Sequence, residues 1–565
     1  MPLRALRKSV ILVVASSCAL LLAQAQASTG QGSVACDPTS SSPVQGQEQS
    51  IRESIRRQAP VENAIQVDVD PGELNALAGP RELRTRVGVV ARADLRVDFS
   101  GVSTRDLSTG GDSHARGTLR SNGAGGFEWV SAIRAEQATA LRLHFTGFNL
   151  PRNAELWLSN ERGDVVGPYT GRGRNGNGEF WSHTLWGSTV TLNLFYDGAD
   201  TDRVLKATRF TVAHVGQLGE AARTVFSRPT PDESASNLCS YNEDCIVAAA
   251  GANIPSKIQP AKDAVALILF ASGPYLYICS GGLVADTDAG SDIPLFLTAN
   301  HCISKGREAN SLEAFFRYTS NCQSPGASDV LGSSILSSSR TGDYTLLRLG
   351  QQPPSGTVAL PWNATEVAYS NGTRLYRISH PAGAPQAYSE HAVDTSRVTC
   401  QSWPRGNWIY SSDIVGATEG GSSGSPVLNA EGEIVGQLSG GCGYNVYDSC
   451  DSVQNATVDG ALASYFPAVQ QFLDPVTSCT DFDSDGYCAE TNDCDDTNAA
   501  INPGVSEADF CFDGADNNCN GLIDSADPAC QPQGCDLAPV GDSCEVNVDC
   551  CSGKCKGKPG SMTCR

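Results

Sequence analysis

With 565 residues the chain is too long for one hydrophobic core, so several domains are expected. A formal charge of −22, from 62 acidic against 40 basic residues, argues against nucleic acid as a partner, because phosphate binding needs clustered Lys and Arg. All but two of the 22 cysteines lie at or after Cys239, and the remaining 20 fit a disulfide framework made in an oxidising compartment.

The first element is a secretory signal, residues 1–27. Arg4, Arg7 and Lys8 precede an apolar run from Val10 to Leu22, and Ala25-Gln26-Ala27 offers small residues for cleavage. Cys18 lies inside this run rather than at its end, which argues against a lipid-anchored cysteine. No later stretch reaches the roughly 18 apolar residues of a membrane helix, so no span is expected in the mature, secreted chain. Residues 28–60 are rich in Ser, Gln and Gly and read as a flexible leader.

From about 85 to 215 short alternating runs such as Leu141 to Phe145 and Val190 to Phe195 are broken by Gly171 to Gly176, which predicts a β-sandwich without cysteines. A polar, proline-containing linker follows from Ser227 to Ser234. Its position makes 28–230 a propeptide by preference, with a permanent accessory domain as the alternative.

Strand patterns resume in a domain spanning 235–475, at Ala264 to Phe270, Tyr275 to Val284, Leu295 to Thr298, Tyr344 to Leu349, Pro426 to Asn429 and Glu433 to Leu438. Ala430-Glu431-Gly432 joins the last two as a hairpin, and Ala461 to Phe472 has the spacing of a closing helix. About 240 residues of this kind suit a two-barrel all-β domain. Two small cysteine-rich modules, 479–530 and 535–565, have too few apolar residues to fold on a core alone.

Three signals in the strand-rich domain converge on nucleophilic catalysis. A strand ends at Leu297-Thr298-Ala299-Asn300-His301-Cys302, Gly342-Asp343 leads into a buried strand, and Gly420-Gly421-Ser422-Ser423-Gly424-Ser425-Pro426 forms a glycine-rich turn. A serine hydroxyl needs a base to take its proton, and the base needs a carboxylate to fix its tautomer. His301, Asp343 and Ser423 have the types and the order for these roles, and the amides of Gly421 and Ser423 could together hold an oxyanion.

These boxes resemble those of the trypsin-like serine peptidases, and among them the bacterial lysyl endopeptidases. Thr298 to Cys302 stands for the Thr-Ala-x-His-Cys box, Gly421 to Pro426 for Gly-x-Ser-Gly-x-Pro, and Gly436 to Gly441 for the strand lining the specificity pocket. The resemblance implies a chymotrypsin-like double β-barrel. It also implies peptide hydrolysis through an acyl-enzyme, without a catalytic cofactor, on protein or peptide substrates. Its pocket would be lined by Ser439, Gly440 and Gly441. The family's lysine-attracting Asp is not matched. Thr457 stands there, and Asp459, offset by two, is either a pocket group or an ordinary surface carboxylate. The resemblance further implies the disulfides Cys279–Cys302 and Cys245–Cys322, and Cys239 with Cys442 or Cys450, leaving Cys400 unassigned.

Between Cys479 and Cys530 the sequence holds 13 Asp and Glu and no Lys or Arg. Asp481, Asp483 and Asp485, followed by Gly486, open like a calcium loop, although Asn492 replaces the bidentate Glu of position 12. Asp516, Asn518 and Asn520 repeat the alternation. The pair resembles the Asp-rich, Cys-containing metal-binding repeats of extracellular bacterial proteins, and its hard oxygens favour structural Ca²⁺ over transition metals; the alternative is a disulfide-stapled acidic spacer. The tail resembles an inhibitor cystine knot, which implies Cys535–Cys551, Cys544–Cys555 and Cys550–Cys564. Taken together the sequence predicts a secreted serine endopeptidase made as a precursor. The alternative is an inactive protease-like protein that displays calcium and knottin modules for binding or adhesion.

Overall fold

The computed structural model describes residues 43–58, 61–75, 84–219, 245–319, 330–475, most of 483–530, and the strands 555–558 and 561–564, apart from isolated positions. The signal segment, the linker 227–234, and Cys239, Cys322, Asp481, Cys535, Cys544, Cys550 and Cys551 lie outside the described residues. Where polar composition predicted an unstructured leader, Pro43–Arg56 is a helix. Local signals suffice for it: Ile51 and Ile55 are four apart, and Glu53 pairs with Arg57 at 3.3 Å one turn on. It belongs to a unit, Met1–Arg57, distinct from Gln58–Arg565.

Residues 85–218 form the expected two-layer β-sandwich. One layer runs in the order Asp112–His114, Gly117–Ser121, Phe127–Arg134, Thr189–Tyr196, Ala154–Asn160 and Val165–Tyr169. The other contains Leu185–Trp186, Ala140–Asn149, Arg209–Leu218 and Thr85–Asp98. Alternation decides what is buried between them: Val190, Leu192 and Leu194 meet Leu141, Leu143 and Phe145 in one core.

Two barrels follow. In the first, Val265–Ser272, Tyr275–Leu283, Leu295–Ala299, Tyr344–Leu349 and Ser333–Ser339 pair in sequence, with Glu313–Phe316 on the outer flank of Val265–Ser272. The second closes completely through Ala387–Val393, Arg374–Ser379, Pro426–Leu428, Ile434–Gly443, Asn455–Ala461 and Trp408–Val415, because the last strand pairs back onto the first. Leu462–Leu473 is the closing helix.

The sandwich and the first barrel share a sheet. Thr85–Asp98 adds to the edge of Tyr275–Leu283, with Thr85 opposite Ile278 and Val89 opposite Tyr275. Beside this junction Arg142 of the sandwich and Glu313 of the barrel, both fully buried, pair at 3.2 Å. The Thr184 amide and hydroxyl also donate to Glu313. Such a pair is weak evidence for stability but specific for geometry, because either charge alone would be stranded.

The cysteine pairing corrects two expectations. Cys245 bonds Cys450, not Cys322, and Cys442 bonds Cys400, so neither Cys442 nor Cys450 is left for Cys239. The reason is local: Val247–Ala248 pairs with Ala387–Val393, which carries Cys245 onto the second barrel. Cys279–Cys302 forms as expected. In the tail Cys555 and Cys564 oppose each other across a hairpin, while their expected partners lie outside the described residues.

Candidate active site

Register alone brings the first two site residues together. Thr298 and Ala299 pair with Thr345 and Tyr344 on antiparallel strands, so the residues just past each strand end, His301 and Asp343, must meet. Asp343 Oδ2 lies 2.7 Å from His301 Nδ1, and Oδ1 accepts the His301 amide at 2.8 Å. A carboxylate accepts, so Nδ1 carries the proton and Nε2 is left as the basic nitrogen. Nε2 is buried and has no hydrogen-bond partner among the described residues. Asp343 holds a left-handed backbone (φ 51°) fixed from both sides: Asn300 donates to its carbonyl, as does Gln437, itself held by Tyr465.

Ser423 arrives from the second barrel. Gly421 (φ 100°) and Gly424 (φ 81°) shape its turn, and neither position tolerates a side chain. A Cβ on Gly421 would stand 2.7 Å from the His380 carbonyl, and one on Gly424 would stand 2.3 Å from Thr298 Oγ1. The turn therefore packs directly on the strand end that carries His301, where the Cys302 sulfur also approaches the Ser423 carbonyl at 3.8 Å. Ser280, which the sequence reading passed over beside Cys279, ties the halves together. Its amide donates to the Ser423 carbonyl at 2.8 Å and its hydroxyl to the Gly421 carbonyl at 2.9 Å. The Ser422 amide is taken by Glu419, while the Gly421 and Ser423 amides have no acceptor among the described residues.

His380, under this turn, is fully buried. Its Nδ1 donates to the Ala384 carbonyl, and burial lowers its pKa to about 4.

Of the expected pocket residues, Ser439 is buried, and Gly440 and Gly441 follow it along the strand that Gly424 joins through the Leu438 carbonyl. Thr457 sits directly opposite Gly441. Asp459 is not a surface carboxylate: it is fully buried and takes a hydrogen bond from Arg377 at 2.5 Å. Arg377 in turn reaches His391 at 2.9 Å, and His391 Nδ1 meets Asp413 Oδ1 at 2.8 Å. The Thr457 hydroxyl also donates to Asp413, at 2.8 Å. Arg377, His391 and Asp413 were missed from sequence. The only available signal was that charged residues occupy strands otherwise patterned for burial.

In the acidic module Asp483, Asp485 and Asp493 bring carboxylate oxygens within 4.8 Å of one another. Asp481 lies outside the described residues, and Asp493 is the third member of this cluster. Its burial and the charges of Asp485, Asp496 and Asp495 raise its pKa, as in a site that a cation would relieve. Asp516, Asn518 and Asn520 are occupied differently. Asp516 accepts the Asn520 and Gly521 amides, and both Asn side chains donate to Asp527. Among the described residues two disulfides, Cys494–Cys519 and Cys511–Cys530, close the module in place of a core.

Residues 234–458 match the family model of the lysyl endopeptidase C-terminal domain, and residues 493–525 match one described as "Putative metal-binding motif". A lysyl endopeptidase of Pseudomonas aeruginosa is 28% identical over 329 residues, covering 56% of this chain and 67% of that protein. A secreted RxLR effector protein of Plasmopara viticola is 26% identical over 345 residues, 58% of this chain and 81% of that protein. The active form of the Rv3671c protease from M. tuberculosis is 13% identical over 38% of this chain and 82% of its own, with a TM-score of 0.27, too low to weigh. The homology supports a serine peptidase hydrolase, carried on a mainly β chain with two closed or nearly closed barrels.

Proposed function

We propose that the chain is a secreted serine endopeptidase made as a precursor, with Ser423 as nucleophile, His301 as general base and Asp343 as the carboxylate that orients it. One observation carries this reading: His301 gives Nδ1 to Asp343 and keeps Nε2 unpartnered among the described residues, on the strand end that packs against the turn of Ser423. In the reaction Nε2 takes the Ser423 proton as Oγ attacks a peptide carbonyl, and the amides of Gly421 and Ser423 receive the oxyanion. His301 then gives that proton to the leaving amine, and water repeats the cycle on the acyl-enzyme.

The sandwich supports the precursor reading. Arg84, at the start of its edge strand, donates to the His301 carbonyl and to Ser272 at 2.7 Å. The Thr85 hydroxyl faces Gly420, where a Cβ would stand 2.7 Å away. The sandwich thus lies against the strand end of His301 and the turn before Ser423, and the precursor segment, 28 to about 230, would be removed when the linker is cut. The Asp483, Asp485 and Asp493 cluster is read as a structural Ca²⁺ site, since only hard oxygen ligands converge there. The even cysteine framework and the leader-like first residues support an extracellular location. No described helix is long and apolar enough to cross a membrane.

The test is fluorophosphonate labelling of the secreted protein, followed by N-terminal sequencing of the labelled species. Labelling is expected at Ser423, lost in Ser423→Ala, on a chain beginning between about 224 and 239. Labelling that survives Ser423→Ala refutes the nucleophile, and a labelled, active chain beginning at Ser28 makes the sandwich a permanent domain.

A further inference from the structure

The sandwich meets the first barrel along a seam that carries several arginines. Two of them are answered by carboxylates of the barrel: Arg84 by Glu308 at 3.2 Å, and Arg142 by Glu313 at 3.2 Å. At a third place on the seam no such answer exists. A cavity of about 400 Å³ opens there between the sandwich residues Arg174 and Asn175 and the barrel residues Asn310, Ser333, Ser334 and Arg348. Arg174 belongs to the glycine-rich run Gly171 to Gly176 that interrupts the strand pattern of the sandwich, and Arg348 to the barrel strand Tyr344–Leu349. Two guanidinium groups thus line one cavity, and no Asp or Glu lines it with them.

Both arginines are held in place without being neutralised. The Arg174 guanidinium lies 5.6 Å from the centre of the Tyr169 ring, which covers one of its faces, and its Nε is buried with no hydrogen-bond partner among the described residues. Arg348 sits between Leu295 and Ser334 on the flanking strands and makes no ion pair or side-chain hydrogen bond among the described residues. Asn310 accepts from Asn175 through Oδ1, which leaves its Nδ2 without an acceptor among the described residues. Donors therefore predominate around the cavity. Two like charges across it repel, and a guanidinium withdrawn from water without an acceptor loses hydration that nothing replaces. An anion with several oxygens removes both penalties. A carboxylate turns its two oxygens to one side and suits a single guanidinium, whereas a tetrahedral group directs oxygens at both walls. The volume falls within the range of small-molecule sites, about 300–1,000 Å³, so such a group also has room when it is carried on a larger molecule.

We infer that this cavity is an oxyanion site, which takes a phosphate or sulfate group, free or borne by a small organic molecule, between Arg174 and Arg348. Its ligands come from the sandwich and from the barrel, so the anion binds them only while they are docked and stabilises the docked form by mass action. The site is independent of the peptidase chemistry and is tested without it, on the uncut chain carrying Ser423→Ala. Titration calorimetry with inorganic phosphate at constant ionic strength is expected to show a single bound anion. Arg174→Gln and Arg348→Gln should each weaken binding by about 10-fold or more, the scale of a lost charge-assisted hydrogen bond. Arg172→Gln, on the same loop but directed at the Asn177 carbonyl, should leave it unchanged. Tighter binding of glucose 6-phosphate than of inorganic phosphate assigns the site to an organic ligand, and the reverse order assigns it to the free ion. The absence of binding at low-millimolar phosphate overturns the inference, as does binding that survives both substitutions or is lost in Arg172→Gln alone. Should a cavity variant fail to fold, melting of the Ser423→Ala chain decides. A site requires a rise in Tm that saturates in low-millimolar phosphate. A rise that stays linear with concentration is exclusion of the salt from the surface, and refutes the site.

Discussion

The two barrels each hold a histidine against an aspartate at almost the same distance, 2.7 Å for His301–Asp343 and 2.8 Å for His391–Asp413. In both the carboxylate takes Nδ1–H. The difference lies at the other ring nitrogen. Nε2 of His301 has no partner among the described residues, on the strand end that packs against the Ser423 turn, whereas Nε2 of His391 is taken by Arg377, with Ser389 at 2.8 Å. An imidazole can act as a base only through a nitrogen that nothing else has claimed. The same dyad thus leaves a ring nitrogen open to act as a base in the first barrel and none in the second.

The comparison breaks most sharply on activity. His301→Ala should lower turnover by roughly four to six orders of magnitude with an unchanged melting curve, as expected when a base that acts with its nucleophile is removed. Comparable turnover in His301→Ala would make the two dyads equivalent and end the assignment. In the second barrel the largest effect should be on folding. Arg377→Met strands the buried Asp459 carboxylate and should cost about 3–5 kcal/mol in denaturant unfolding, much of it recovered in Arg377→Met/Asp459→Leu. A single variant no less stable than the wild type would mean that Asp459 is held as the neutral acid.

A third histidine sharpens the contrast by pH. His380 is neutral in the fold with a pKa of about 4, below the ordinary 6.5 that it regains on unfolding. Between those values the unfolded chain binds more protons, so stability falls as pH drops from about 6.5 to 4 and then levels, by up to about 3 kcal/mol. His380→Phe should flatten that slope, measured as unfolding free energy across the interval. An identical slope in the variant would assign the acid sensitivity to other groups.

The smallest expected effect is in the acidic module, which differs from both barrels in having disulfides where they have cores. Millimolar calcium should slow proteolysis within 479–530 of the intact chain, and chelation should reverse it, with about 3 kcal/mol available at a hundredfold excess over Kd. Cleavage indifferent to calcium and chelator would leave an acidic spacer.

Much of this molecule follows from local rules. Alternation in Val190 to Phe195 and Leu141 to Phe145 specifies strands whatever they pack on, and the buried strands of the first barrel read as apolar runs. The boxes around His301, Asp343 and Ser423 are legible because each needs particular residues within a few positions: a strand end, a carboxylate before a strand, two glycines where a Cβ has no room. Three things were settled only by tertiary structure. Cys245 joins Cys450 because a two-residue strand carries it to the second barrel across 205 residues, and spacing cannot encode such a distance. Ser280 becomes the link between barrels because its neighbours in space, Gly421 and Ser423, lie more than 140 positions away. The polar cluster of the second barrel is built by four residues from four strands, Arg377, His391, Asp413 and Asp459. In sequence each is an ordinary polar residue, and only the closed barrel links them into one hydrogen-bonded chain.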